Sequence, residues 1–392
     1  MNFDQYVKGD SLIMNTKGTV VDIERLVSFL QNNTNIKKLS LVDLDIGDEG
    51  VIALANGNLL NLTSLYLGGN NIGDQGAEAL TKLSNLTKLK LRNNNIGDEG
   101  VIALANANLT KLTELDLARN KIGDQGAEVL AELSNLTELD LSHNKIYSQG
   151  AKALANLTKL TELDLSHNEI YSQSAEALAK LPNLTSLGLS NNKIGNQGVK
   201  ALAKLSKLTF LDLSNNKIHG NGAKALANGN LSSLTSLDLH NNNIDNQGAE
   251  ALANGNLSNL TSLYLYGNDD IDELGQKALA NGNLSKCISP FIRKDKKPVT
   301  MPYIDTLNVS KLESDEANNQ GAKQQGAQAS GARSNKSLMH TLLPCCGPSS
   351  PSSPGGINND QPGPNSRLGE VLPLCSRQNS LKSNDIEMDS RL

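Results

Sequence analysis

The pattern L-x-x-L-x-L-x-x-N-x-I recurs ten times in this 392-residue chain, starting at Ile36, Leu62, Leu86, Leu112, Leu136, Leu160, Leu184, Leu208, Leu234 and Leu260, at spacings of 24 or 26 residues. A unit this short cannot bury its apolar side alone, so successive units must stack and share one continuous core.

Each unit reads as strand, turn and short helix. The leucines of L-x-L point one way and the residues between them the other. Next comes an asparagine, at positions 70, 94, 120, 144, 168, 192, 216, 242 and 268, replaced by Leu44 in the first unit. A side-chain amide both donates and accepts, so a stacked column of them can satisfy the backbone where the chain bends away from the core. Two residues past the isoleucine stand Asp48, Asp74, Asp98, Asp124, Ser148, Ser172, Asn196, Gly220, Asn246 and Glu273. Most are good N-caps, and an Ala/Leu stripe at helical spacing follows them. The 26-residue units carry Asn-Gly-Asn, as at Asn228-Gly229-Asn230, where the glycine is expected to cap the helix C-terminus.

Composition supports this architecture. Aromatic residues are 3% of the chain and tryptophan is absent, so the core is aliphatic. Ten of the eleven prolines lie at or after Pro290. Residues 1–35 therefore read as an N-terminal cap with a helical "TVVDIERLVSFLQ", 36–286 as ten repeats, and 287–392 as a disordered tail. The net charge of −5 divides into about −7 for the repeats and +2 for the tail, which disfavours nucleic acid as a partner. Cys287, Cys345, Cys346 and Cys375 all fall outside the repeats with no disulfide or metal spacing. Neither a signal-peptide core nor an apolar run long enough to span a membrane is present, so the expected location is cytoplasmic, or a host cell reached by non-classical secretion.

Units such as "LTSLYLGGNNIGDQGAEALTKLSN" resemble leucine-rich repeats, most closely the ribonuclease-inhibitor-like class, with a helix segment close to "N-x-I-G-D-x-G-A-x-A-L". Their short length is similar to arrays from host-associated bacteria. The resemblance implies an α/β leucine-rich-repeat solenoid: a horseshoe with parallel strands on the concave face, short helices outside, and a concave surface that binds other proteins.

If the leucines face inward, the third, fifth, seventh and eighth positions of each unit face the concave side. They present Lys88, Lys90 and Arg92, then Glu114, Asp116, Glu138, Asp140, Glu162 and Asp164 on three successive strands, and later Phe210, Asp212, Asp238, His240, Tyr264 and Tyr266. Strands about 4.8 Å apart would set like charges side by side, a cost that stability alone would not select. One reading is a docking site for a basic partner, with the aromatics as anchors; the other is simple duplication of one unit.

Acid–base chemistry by these acids requires a raised pKa, which an open sheet face would not supply. His143 and His167, in the doubled "LTELDLSHN", could stack and share a metal, but lack further ligands nearby. Tyr147 and Tyr171 replace a turn glycine in consecutive units and are expected to pack on one another. In the tail, Cys345 and Cys346 are candidate acylation sites and the final "SRL" a candidate carboxy-terminal signal. The expectation is a monomeric, non-enzymatic scaffold without cofactor or metal that binds a basic protein partner through Lys88, Lys90, Arg92, the six central acids, Phe210, Tyr264 and Tyr266, as an effector in a host cell. The alternative is a small-GTPase regulator using Arg92 or Arg119.

Overall fold

The computed structural model describes residues 1–284 other than Thr16 and Asn108. The readings for 287–392, namely disorder, acylation of Cys345 and Cys346 and a carboxy-terminal signal, lie outside the described residues. No helix among those described is long and apolar enough to cross a membrane.

The chain begins with β1 (Val7–Lys8), β2 (Ser11–Met14) and α1 (Ile23–Asn32). Repeats then alternate short strands with short helices: β3 (Lys38–Leu41), α2 (Gly47–Asn56), β4 (Ser64–Tyr66), α3 (Asp74–Ala79), β5 (Lys88–Lys90), α4 (Asp98–Asn106), β6 (Glu114–Asp116) and α5 (Asp124–Leu130). The second half continues with β7 (Glu138–Asp140), α6 (Ser148–Ala153), β8 (Glu162–Asp164), α7 (Ser172–Leu178), β9 (Ser186–Gly188), α8 (Gly195–Leu202), β10 (Phe210–Asp212), α9 (Gly220–Ala227), β11 (Ser236–Asp238), α10 (Asn246–Asn254), β12 (Ser262–Tyr264) and α11 (Glu273–Asn281).

The twelve strands form one sheet in chain order, parallel throughout except for the β1–β2 pair. "SLIM" lacks the repeat pattern, yet β2 pairs with β3 and begins the parallel part of the sheet one strand before the first repeat. Each repeat seals the core with leucines and one isoleucine, as in Leu65, Leu67, Ile72, Leu80 and Leu86, all fully buried. At about 1.5–3 kcal/mol per buried side chain, stacking is the dominant favourable contribution in each unit.

The asparagine column forms as its chemistry requires. Asn120 Nδ2 donates to Leu91 O and Leu117 O, both at 3.0 Å, while Oδ1 accepts from Ile96 N at 3.0 Å. One amide thereby ties two adjacent repeats together at the bend.

The capping expectation needs correction. Asp74, Asp98 and Asp124 open their helices, but each carboxylate serves the next repeat. Asp98 Oδ1 accepts from Gly123 N at 2.7 Å and Gly126 N at 3.0 Å, and Asp124 Oδ1 from Tyr147 N and Gly150 N. The free N–H groups of one helix are thus satisfied by its predecessor. Ser148 and Ser172 interrupt this acidic series.

Gly57, Gly255 and Gly282 of the Asn-Gly-Asn segments do stand at helix C-caps, but in right-handed or extended backbone and not the left-handed one. A Cβ at Gly229 would lie 2.5 Å from Ala203 O, and one at Gly255 2.6 Å from Ala227 O. Glycine is needed there because the loop crosses the end of the preceding helix, whose carbonyl accepts from Asn230 N at 2.8 Å.

Candidate functional site

The groove is built by the first and third side chains of strands β4–β12 and by the turn residues after each strand. Register places Glu114, Glu138 and Glu162 in one row and Asp116, Asp140 and Asp164 in the next. The expected like-charge columns therefore exist, but their surroundings differ from an open face: Glu114, Asp116 and Asp140 are buried, whereas Glu138, Glu162 and Asp164 are half-buried. The strands are close enough for neighbouring side chains to cover one another.

Burial changes the electrostatics. Glu114 is held by Lys88 Nζ at 2.6 Å and Lys90 Nζ at 2.8 Å. Burial pushes its pKa up, but the charge of Lys90 and the hydrogen bonds from Lys88 and Lys90 outweigh this and hold it below the usual range. Lys88 is exposed, Lys90 buried, and Arg92 half-buried with Nη1 3.7 Å from Asp140 Oδ2. The three expected basic contact residues are therefore occupied inside the chain, at least in part.

The aspartate row has a structural task that the sequence did not reveal. Asp116 Oδ1 accepts from Ala118 N, Asp140 Oδ1 from Ser142 N and Asp164 Oδ1 from Ser166 N, at 2.8–2.9 Å. The same bond recurs from Ser214 N to Asp212 and from His240 N to Asp238. Each carboxylate closes the turn that ends its strand. Burial pushes Asp116 up to about 6, and burial together with Asp116 and Asp164 raises Asp140 well above the carboxylate range. The premise that no raised carboxylate could arise here was wrong.

The histidines also follow from the turn. Residues 93, 119, 143, 167, 191, 215 and 241 are Asn, Arg, His, His, Asn, Asn and Asn, all with φ of 50–57°. That left-handed conformation is tolerated best by Gly, Asn, Asp and His. His143 and His167 stack with ring centroids 3.8 Å apart, Arg119 Nη2 lies 3.3 Å from His143 Nε2, and Asn191 Nδ2 lies 3.1 Å from His167 Nε2. Burial first, then the charges of His167 and Arg119, push His143 down to about 4. No group of three metal-ligating side chains occurs among the described residues. Arg119 is engaged in this ladder, as Arg92 is with Asp140.

Tyr147 and Tyr171 do not stack as expected. Both are exposed, and Tyr171 instead receives Lys193, whose Nζ lies 3.2 Å from the phenol oxygen.

At the C-terminal end, Phe210, Tyr264 and Tyr266 are half-buried on the groove face. Next to them on the same face stand Asp212, Asp238 and His240. Asp238 is 1% exposed, its Oδ1 lies 2.7 Å from His240 Nδ1, and its Oδ2 has no hydrogen-bond partner. Asn215 Nδ2 lies 3.4 Å from His240 Nε2. The His240 ring stacks on Tyr266 at 4.4 Å. Burial and then Asp238 push Asp212 up to about 6, and burial with both aspartates pushes Tyr266 up to about 12. The alternation in "SLDLH" was the available signal for this group.

Family models described as leucine rich repeats match residues 32–55, 58–80 and 82–105 and, in overlapping windows, 110–244. No curated protein matches the chain. Among solved structures it is similar to an internalin from Listeria monocytogenes, with 29% identity over 76% of this chain and 90% of that one at a TM-score of 0.50. It is also similar to internalin C2 of that bacterium, with 32% identity over 48% of this chain and 76% of that one at a TM-score of 0.40. Solenoids of this kind serve as protein-interaction scaffolds through their extended concave surfaces. With the asparagine ladder and the parallel sheet in place, the matches have one meaning: the chain belongs to the leucine-rich repeat family.

Proposed function

We propose that the protein is a non-catalytic scaffold that holds a protein partner with a basic surface against its concave face. One observation carries this reading. From β7 to β12 the groove positions hold Glu138, Asp140, Glu162, Asp164, Asp212 and Asp238, and no lysine or arginine. Such a field steers a cationic partner and fixes its orientation more than it adds affinity. Half-buried Phe210, Tyr264 and Tyr266 supply the apolar anchorage that charge alone does not. The likeness to an internalin supports the further reading of an effector acting on a host-cell protein.

The test reverses charge where the fold can tolerate it. Asp140 is unsuitable because it is buried and closes a turn, whereas Glu138 and Glu162 are half-buried neighbours in one row. Glu138→Lys with Glu162→Lys is expected to weaken capture of the partner on immobilised full-length protein at least tenfold and to remove its salt dependence. A captured set identical to that of the unaltered protein would refute the reading.

A further inference from the structure

The two acidic parts of the groove are not equivalent. In the centre, Glu114 is neutralised by Lys88 and Lys90, and Asp140 faces Arg92. Around Asp212 and Asp238 no strand position from β9 to β12 supplies a cation. The two aspartates sit side by side in register on β10 and β11, and Asp238 Oδ2 is buried without a partner. Natural proteins seldom leave a buried carboxylate oxygen unsatisfied, because a desolvated charge without a partner is costly.

The surroundings give this pair a shape. Gly188 stands beside Asp212 in the same row and Tyr264 beside Asp238. In the neighbouring row, Phe210 is followed by Ser236 and Ser262. These two small serines place no bulky side chain beside the carboxylates. Asp212 is the more open acid of the pair, and Asp238 beside it is buried. His240 is held by Asp238 and stacked on Tyr266, so its ring is committed to that side of the pair.

We infer that this cluster binds one arginine side chain of the protein partner, with the guanidinium on Asp212, the charge of Asp238 beside it, and the planar group against Phe210 and Tyr264. A guanidinium suits the site because it is planar, weakly hydrated, able to bond carboxylates as a fork and able to lie on aromatic faces, whereas an ammonium is a compact, strongly hydrated point charge. The inference rests on the concave face being the partner-binding surface and assigns the chemistry of one contact within it.

The full chain, carrying 13C-labelled tyrosine, is titrated with N-acetyl-arginine amide and followed by the ring resonances, which are assigned with Tyr264→Phe and Tyr266→Phe. The expected result is a saturable shift of Tyr264 and Tyr266 with Tyr66 and Tyr147 unmoved, and no shift with the uncharged N-acetyl-citrulline amide. Asp212→Asn with Asp238→Asn should weaken binding at least tenfold while the Tyr66 and Tyr147 signals stay in place, which reports an intact fold. Tyr264→Leu should weaken it severalfold with both carboxylates present. Binding that survives the double asparagine variant, equal binding of citrulline amide, or equal binding of N-acetyl-lysine amide overturns the inference. The single-residue probe needs no partner, so its failure leaves the scaffold reading standing, and loss of the Glu138 and Glu162 effect with probe binding intact refutes only the scaffold reading.

Discussion

The strand ends Glu114–Leu115–Asp116 on β6 and Ser236–Leu237–Asp238 on β11 perform the same backbone task in opposite electrostatic settings. In both, the aspartate accepts from the N–H two residues on and closes the turn. On β6 the preceding strand carries Lys88 and Lys90, and Glu114 becomes part of an internal ion cluster. On β11 the preceding strand carries Phe210 and Asp212, so the second acid adds repulsion where the lysines of β5 add attraction. Within a repeat ladder, the chemistry of a groove position is therefore set by the strand before it as much as by its own residue.

The largest expected effect comes from removing the central compensation. Lys88→Ala with Lys90→Ala strands a carboxylate that is 4% exposed beside Glu138. Breaking a buried pair in this way costs about 3–5 kcal/mol, read as a lower urea midpoint. Adding Glu114→Gln should recover most of the loss. If the double alanine variant is as stable as the parent, the central region is not held by its ion cluster and the contrast with β11 fails.

The next effect is pH-dependent and touches both regions. Asp116 and Asp212 rise from 3.8 to about 6 on folding, so the folded state binds more protons than the unfolded state between those values. Their stabilising contribution is present below about 4 and is lost as pH rises through about 6. Glu114 has the opposite sign: its contribution is present at neutral pH and is lost as pH falls through its lowered pKa. Between pH 7.5 and 5.5 each raised aspartate should contribute just under about 1 kcal/mol of added stability, against an opposite contribution from His143, which burial holds down at about 4. Asp116→Asn and Asp212→Asn should each remove one share. A pH dependence of the urea midpoint that neither substitution changes would contradict the raised carboxylates.

Much of the fold could be read from the sequence because the informative residues act within one unit or on its immediate copy. Leu65, Leu67 and Ile72 announce the core by spacing alone, and Asn94 announces the bend by its chemistry. What escaped depended on contacts between units. Asp98 has the sequence signature of a cap but serves the following helix, and β2 owes its strand form to pairing with β3 and not to its own pattern. At the candidate site, alternation identified the face but not its depth. Asp140 is buried because neighbouring strands bring side chains against it from both sides, which no single repeat discloses. The unmatched oxygen of Asp238 follows from the missing cation on β10, visible only once the register is known.

The smallest and most discriminating change transplants the central arrangement to the C-terminal end. Ser236 is half-buried in the row beside Asp212 and Asp238, between Phe210 and Ser262. Ser236→Lys would place an ammonium within reach of both aspartates, as Lys88 and Lys90 stand to Glu114. The gain in stability should be at most about 1 kcal/mol, since the new side chain remains partly solvated and loses rotamer freedom. The electrostatic effect should be larger than the energetic one. Asp212 should move down toward the ordinary carboxylate range, and the Asp212 share of the stability change between pH 7.5 and 5.5 should disappear. N-acetyl-arginine amide should bind more weakly because its position is filled from within. A variant that keeps the parental pH profile and still binds the probe would show that the missing lysine is not what separates the two regions.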